Sequence, residues 1–315
     1  MVDQSTASLA LPEAADPAPR PLRMQRRAAE DWVGTISDVV SLAKPRLSSM
    51  VLFTTAGGLL LAPGHVAWPT ALLTMVMTTF VVASANTLNC YLERETDALM
   101  KRTRARALPT GRLDARVALV VGIVLALISI PALTWGVNPL SGALAALALV
   151  SYVAVYTPMK QKSPLAVVVG ALPGAIPPLL GWVAVTDSLD PGGLALFAVL
   201  FVWQLPHSLA ITLYLREDYG RAGMRVLPVT HGDAIAHRWI VVSTALLVPV
   251  TLSLTPVGVS GTRYLLVSAV LGLGLFAWSL SGLKGTPGPR WARKFMLGTV
   301  GYLALLFVAL AMDAA

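Results

Sequence analysis

The chain has 315 residues, 56% of them apolar and only 13% charged, with a mean hydropathy of +0.70. A soluble domain carries about 25% charged residues, so the composition excludes an ordinary soluble enzyme and points into a bilayer. The formal net charge of +8 would suit nucleic acid, but the basic residues fall in alternate loops between apolar runs and therefore report membrane topology.

Residues 1–35 form a tail rich in Pro, Ala and Arg, containing ADPAPRPLRMQRRAAED, a composition that predicts disorder. The start reads as no secretory signal, and Asp3, Glu13, Asp16, Glu30 and Asp31 set it apart from an acid-poor transit peptide. Apolar runs follow near 47–62, 69–92, 115–134, 139–157, 165–186, 192–215, 239–256, 263–281 and 295–311. A membrane crossing takes about 20 apolar residues. The first run is short unless it reaches back to Ser41, with Lys44 and Arg46 snorkelling to the interface. The expected fold is an all-α polytopic membrane domain over 36–315 with about nine transmembrane helices.

With alternating spans, Lys44 and Arg46, Arg94 to Arg116, Lys160 and Lys162, Arg216 to Arg238, and Lys284 to Lys294 share one face. The opposite loops contribute only Arg263. Positive loops stay cytoplasmic, so the N-terminus is expected inside and the C-terminus outside. Cys90 is the single cysteine. It excludes an intramolecular disulfide and a cysteine metal cluster and reads as a packing residue.

The second run ends in ANTLNCYLERETDALMKRTRARALPTGR. Asn89, Glu93 and Asp97 are spaced by four, so on a helix they share a face, rising about 6 Å per step. Amide and carboxylate oxygens suit Mg²⁺ held together with substrate phosphates, and the arginines that follow can grip phosphate bidentately. The plainer reading is interfacial charge solvating a helix end, with Glu93 paired to Arg94 or Lys101. The sixth run ends comparably in WQLPHSLAITLYLREDYGRAGMRVLPVTHGD, with Glu217 and Asp218 between Arg216 and Arg221. Two acid-bearing helix ends on one face could hold a polyphosphate over an apolar bundle that accepts a hydrocarbon tail. His207 lies inside the sixth span. It reads either as a functional group in the membrane or as an interhelical hydrogen bond. His65, His231 and His237 read as surface residues.

The segment NCYLERETDALMKRTRARALPTGR resembles the first signature of the UbiA-type intramembrane prenyltransferases, an Asn-x-x-x-Asp-x-x-x-Asp pattern followed by Arg-Thr and a proline-rich turn. LAKPRLSSMVLFTTAGG, YTPMKQKSPLAVVVGALPGAIPPLLGWVAVT and the sixth-span segment look specifically like the branch that farnesylates protohaem IX. The resemblance implies a nine-helix UbiA-type bundle in a bacterial inner membrane, with its active site on the cytoplasmic side. It implies farnesyl diphosphate and haem B as substrates, haem O as product, Mg²⁺ as cofactor, and contact with a haem A synthase. Asn89, Glu93 and Asp97 would position metal and diphosphate, with Asp218 as the second acidic motif. Arg102, Arg106 and Lys160 would bind phosphate oxygens, as would Lys44 and Arg46, and His207 would touch haem. Glu93 stands where the family usually has aspartate, Ala107 where the turn usually has proline, and the second motif is reduced. The alternatives are a prenyltransferase for aromatic or quinone-precursor acceptors, which should show a fuller second motif, and a secondary transporter. A transporter should show broken helices in both halves, whereas here Gly170, Pro173, Gly174, Pro177 and Pro178 are expected to break the fifth span alone.

Overall fold

The computed structural model describes residues 32–284 and 288–313, so the expected tail lies outside the described residues up to position 31. A short amphipathic helix α1 (Trp32–Leu42) comes first and crosses the expected tail–domain boundary. It leads into α2 (Pro45–Leu61), α3 (Trp68–Leu92), the short α4 (Arg94–Leu99) and α5 (Ala115–Gly136). The next span is α6 (Pro139–Val150), a π-helical turn Ser151–Tyr156 and α7 (Thr157–Met159). Then come α8 (Ala166–Thr186), α9 (Pro191–Tyr214), the short α10 (Arg216–Arg221) and α11 (Leu227–Thr230), α12 (Asp233–Leu252), α13 (Thr262–Leu280) and α14 (Pro289–Asp313). Among the described residues eight helices are long and apolar enough to cross a membrane. The 17-residue α2, where the first of the nine expected spans lies, is apolar but shorter, about 25 Å long at 1.5 Å per residue.

Helix starts follow local chemistry. Proline stands in the first turn of α2, α3, α6 and α9, where its missing N–H costs nothing. Asn138 caps α6 by accepting from Ser141 N at 2.7 Å, and Asp190 caps α9 by accepting from Gly192 N and Gly193 N, both at 3.1 Å. The largest boundary difference is at α12, which begins at Asp233 and not near 239. Counting apolar residues misses a polar first turn that carries Asp233 at the positive end of the helix. His237 is therefore helical and buried, with Nε2 bound to Ser279 O at 3.0 Å, and is not a surface residue. The fifth span is also corrected. Its prolines sit inside one continuous helix α8, because neighbouring helices can satisfy the carbonyls that proline frees.

The spans pack as two four-helix groups, α3 with α5, α6 and α8, and α9 with α12, α13 and α14, each around its own apolar core. α8 and α9 form the seam, and α2 lies across it against α8, α3 and α14. The α2–α8 crossing is very close. A Cβ on Gly58 would lie 2.0 Å from Pro178 O, and one on Gly181 2.1 Å from Thr55 O, so small residues set the helix separation as they do in other membrane bundles.

Candidate active site

The long helix of each group ends in the same device. α3 stops at Leu92, Glu93 takes φ −93° and ψ 5°, and α4 restarts at Arg94. α9 stops at Tyr214, Leu215 takes φ −104° and ψ 22°, and α10 restarts at Arg216. The turn spacing survives the first break, because Glu93 N donates to Asn89 O at 2.9 Å and Asp97 N to Glu93 O at 2.7 Å. Asn89, Glu93 and Asp97 are 2%, 5% and 1% exposed. Carboxylates that only solvate a helix end remain in water, whereas buried ones need partners.

Each of the three has a basic partner among the described residues. Lys44 Nζ donates to Asn89 Oδ1 at 2.9 Å, Lys160 Nζ pairs with Glu93 Oε1, and Arg106 Nη1 pairs with Asp97 Oδ2 at 2.7 Å. Glu93 thus takes neither Arg94, which pairs with Glu95 at 3.2 Å, nor Lys101. Lys44 has φ 50° and ψ 64°, a left-handed backbone rare for a side-chain-bearing residue and characteristic of strained functional positions. Burial lowers the Lys44 ammonium below its ordinary value. At Lys160 burial acts in the same direction, but the phenol oxygen of Tyr156 and the Glu93 carboxylate outweigh it, and the net shift is upward. Lys160 therefore stays charged. The side chain of Arg46 lies outside the described residues, and that of Arg102 is exposed.

Asp218 is buried, but its oxygens are engaged with the other loop. They accept from Lys101 N at 3.2 Å and Arg102 N at 3.4 Å, and Arg221 donates to Oδ1 at 2.6 Å. By position after the helix break, Tyr219 corresponds to Asp97, Leu215 to Glu93 and Ile211 to Asn89. Tyr219 and Ile211 line the cavity below, whereas Asp218 does not. Asp218 is thus placed to fasten the α4–α5 loop to α10, and Glu217 is exposed.

Beneath the basic and acidic residues lies a cavity of about 340 Å³ between the two helix groups. Its mouth carries Asn86, Lys160, Ser163 and Tyr219, and its walls Tyr152, Tyr156, Gly170, Gly174, Gln204 and Ser208. Its floor is formed by Thr78, Ala148, Ile176 and Leu180. From Glu93 to Thr78 the depth is about 22 Å along the helix. The π-helical turn brings Tyr152 and Tyr156 to the wall together, their ring centroids 5.3 Å apart, and such turns favour functional sites. These tyrosines were not singled out from the sequence, although Tyr156 stands one helical turn before Lys160. His207 lies on the flank of α9 that faces α14, outside the cavity lining. Its ring stacks on Trp203 at 4.7 Å, and Nδ1 meets Thr299 Oγ1 at 2.8 Å.

Residues 51–309 match the model of the UbiA prenyltransferase family. A protoheme IX farnesyltransferase of Anaeromyxobacter sp. is 56% identical over 288 residues, 91% of this chain and 97% of that protein. The protoheme IX farnesyltransferase of Myxococcus xanthus is 46% identical over 90% of this chain and 97% of its own length. The fold is similar to that of a digeranylgeranylglyceryl phosphate synthase (TM-score 0.75, 17% identity, 89% of this chain and 99% of that one). It is also similar to a UbiA homolog from Archaeoglobus fulgidus bound to GPP and Mg²⁺ (TM-score 0.60, 16% identity, 87% and 99%). The fold, the paired acid-bearing helix ends and identity over nearly the full length agree: the chain belongs to the UbiA prenyltransferase family, among its protoheme IX farnesyltransferases.

Proposed function

We propose that this chain transfers the farnesyl group of farnesyl diphosphate to a vinyl group of haem B, giving haem O and diphosphate. The observation that carries the site assignment is the one-to-one pairing of Asn89, Glu93 and Asp97 with Lys44, Lys160 and Arg106 above an apolar cavity. The three bases supply the positive charge that a leaving diphosphate needs, and the cavity receives the isoprenoid tail. The C1–O bond of the allylic diphosphate breaks with its electron pair on oxygen. The vinyl π-electrons form the new C–C bond, and water captures the cation left beside the pyrrole and then loses a proton. Lys160 and Arg106 stabilise the departing charge electrostatically, and Tyr152 and Tyr156 line the path of the allylic cation.

The donor set fits Mg²⁺. Among the described residues no three acids, histidines or cysteines converge, so a cation here would take two carboxylates and one amide oxygen and complete its shell with phosphate and water. Asn89, Glu93 and Asp97 would hold it, and when bound it would supply Lewis-acid neutralisation of the leaving group. Asp218 serves this site by holding the Lys101–Arg102 backbone, with Arg102 reaching outer phosphate oxygens. His207 is assigned to the haem side.

The membrane placement proposed is a bacterial inner membrane, N-terminus inside, with the basic face and the active site cytoplasmic. Haem O keeps its tail in the bilayer, so its consumer belongs in the same membrane, and contact with a haem A synthase follows from this reading. The test is purified protein with farnesyl diphosphate, haem B and Mg²⁺, followed by mass analysis of extracted haem. The expected result is a product heavier by farnesyl plus water and dependent on Mg²⁺. Turnover of 4-hydroxybenzoate with none of haem would overturn the acceptor and leave the diphosphate site standing.

A further inference from the structure

We infer that Thr157 is a positioning residue that fixes the amide of Asn89 with its oxygen facing the diphosphate site; this inference rests on the metal–diphosphate reading above. Three contacts run in series through buried groups. Lys44 Nζ donates to Asn89 Oδ1 at 2.9 Å, Asn89 Nδ2 donates to Thr157 Oγ1 at 3.1 Å, and Thr157 Oγ1 donates to Tyr152 O at 2.8 Å. An amide can in general be turned end for end, and its orientation has to be argued from its partners.

Here both ends give the same answer. An ammonium has three donors and no acceptor, so the atom facing Lys44 must be the amide oxygen. A threonine hydroxyl has one proton, and Thr157 commits it to Tyr152 O five residues back. Towards Asn89 it can therefore only accept, and the atom facing it must be the NH₂. The π-helical turn Ser151–Tyr156 makes this work, because it brings the Tyr152 carbonyl within reach of both Thr157 N and Thr157 Oγ1. Thr157 is 3% exposed, so water cannot substitute for it. Without this acceptor the NH₂ end is unanchored and Lys44 alone holds the amide, so the amide oxygen is less firmly fixed for a cation that competes with Lys44 for it. The turn that sets Tyr152 and Tyr156 in the cavity wall therefore also orients the first residue of the acidic motif.

The test uses the full chain in detergent, with farnesyl S-thiolodiphosphate as an unreactive probe titrated at a series of Mg²⁺ concentrations. Partners that orient metal ligands typically contribute 10–100-fold in metal affinity, and Thr157→Val should raise the Mg²⁺ concentration for half-maximal probe binding by about that factor. Thr157→Ser keeps the hydroxyl and should stay within about twofold of the parent on the same scale. In turnover, Thr157→Val should regain much of its kcat at high Mg²⁺. Should Thr157→Val fail to accumulate, Thr157→Cys, a weak acceptor of similar size, takes its place against Thr157→Ser. Unchanged Mg²⁺ dependence in the valine or cysteine variant, with Asp97→Asn still impaired, would overturn the role of Thr157 alone. Probe binding indifferent to Mg²⁺ in the parent would overturn the underlying reading instead.

Discussion

Arg106 donates to the Asp97 carboxylate at 2.7 Å across a nine-residue stretch of chain, and Asp97 is almost wholly buried there. If that pair were only structural and at the surface, Asp97→Asn would cost about 0–1 kcal/mol. As part of the site that stabilises the leaving diphosphate, it should cost about 3–4 kcal/mol, a hundredfold to a thousandfold in rate. Glu93→Gln should behave alike, and Glu93→Asp should be milder because it keeps the charge. Haem O formation at saturating substrates across a Mg²⁺ titration, with thermal stability measured for each variant, decides it. Near-parental turnover of Asp97→Asn would falsify its role.

Asp218 gives a different expectation, because its oxygens are spent on Lys101 N, Arg102 N and Arg221. Hydrogen bonds to a charged group contribute about 1.5–3 kcal/mol, here to holding the loop that carries Arg102 and Arg106. Asp218→Ala should raise the KM for farnesyl diphosphate by about tenfold, near 1.4 kcal/mol, and loosen the α4–α5 loop to proteolysis, while leaving the Mg²⁺ requirement unchanged. A shifted Mg²⁺ requirement with an intact loop would make Asp218 a metal ligand.

Eight of the nine expected spans, the gathering of acidic and basic groups at one end, and the spacing of Asn89, Glu93 and Asp97 were legible because they depend on hydropathy and on helical periodicity. The partners were not. Lys44 and Lys160 reach Asn89 and Glu93 across 45 and 67 residues of sequence, and local spacing carries no trace of that. Asp218 was read as the second acidic motif because the resemblance places an acid at the end of the sixth span. Only the helix break at Leu215 shows that Tyr219, one residue on, holds the register of Asp97. The π-helical turn was equally hidden, since SYVAVY reads as an ordinary apolar stretch.

Gly58 and Gly181 are predicted to be intolerant of side chains. A methyl group at either position would meet a backbone carbonyl near 2 Å, which no rotamer change relieves. Gly58→Val should push α2 away from α8, with the 1–3 kcal/mol penalty typical of overpacking or more. Lower thermal stability and less folded protein in membranes should result. Gly274→Ala, where a Cβ meets nothing within 4 Å, is the control and should be neutral.

His207→Ala should weaken use of haem more than binding of farnesyl diphosphate. The ring is outside the cavity that would take the tail, between Trp203 and Thr299, so the diphosphate side should not notice its loss. His207→Gln keeps a donor for Thr299 and separates the two roles. Full haem turnover in the glutamine variant, with loss only in alanine, would reduce His207 to a hydrogen bond between α9 and α14.

The floor of the cavity sets the last expectation, the length of isoprenoid accepted. Ala148 and Thr78 are among the smaller lining side chains there, and Leu180 and Ile176 close the space beside them. Ala148 packs against the apolar core of its helix group and also lines the cavity, so a larger residue there has the open space to grow into. Ala148→Leu should therefore shorten the tunnel. One methylene in an apolar pocket is worth about 1–3 kcal/mol, so the ratio of kcat/KM for farnesyl over geranyl diphosphate should fall by at least about tenfold. Mg²⁺ dependence and thermal stability should hold, because the change lies about 20 Å below the charged groups on a helix rising 1.5 Å per residue. An unaltered ratio in a stable Ala148→Leu variant would mean that the tail leaves the cavity sideways, between helices, and that the floor measures nothing.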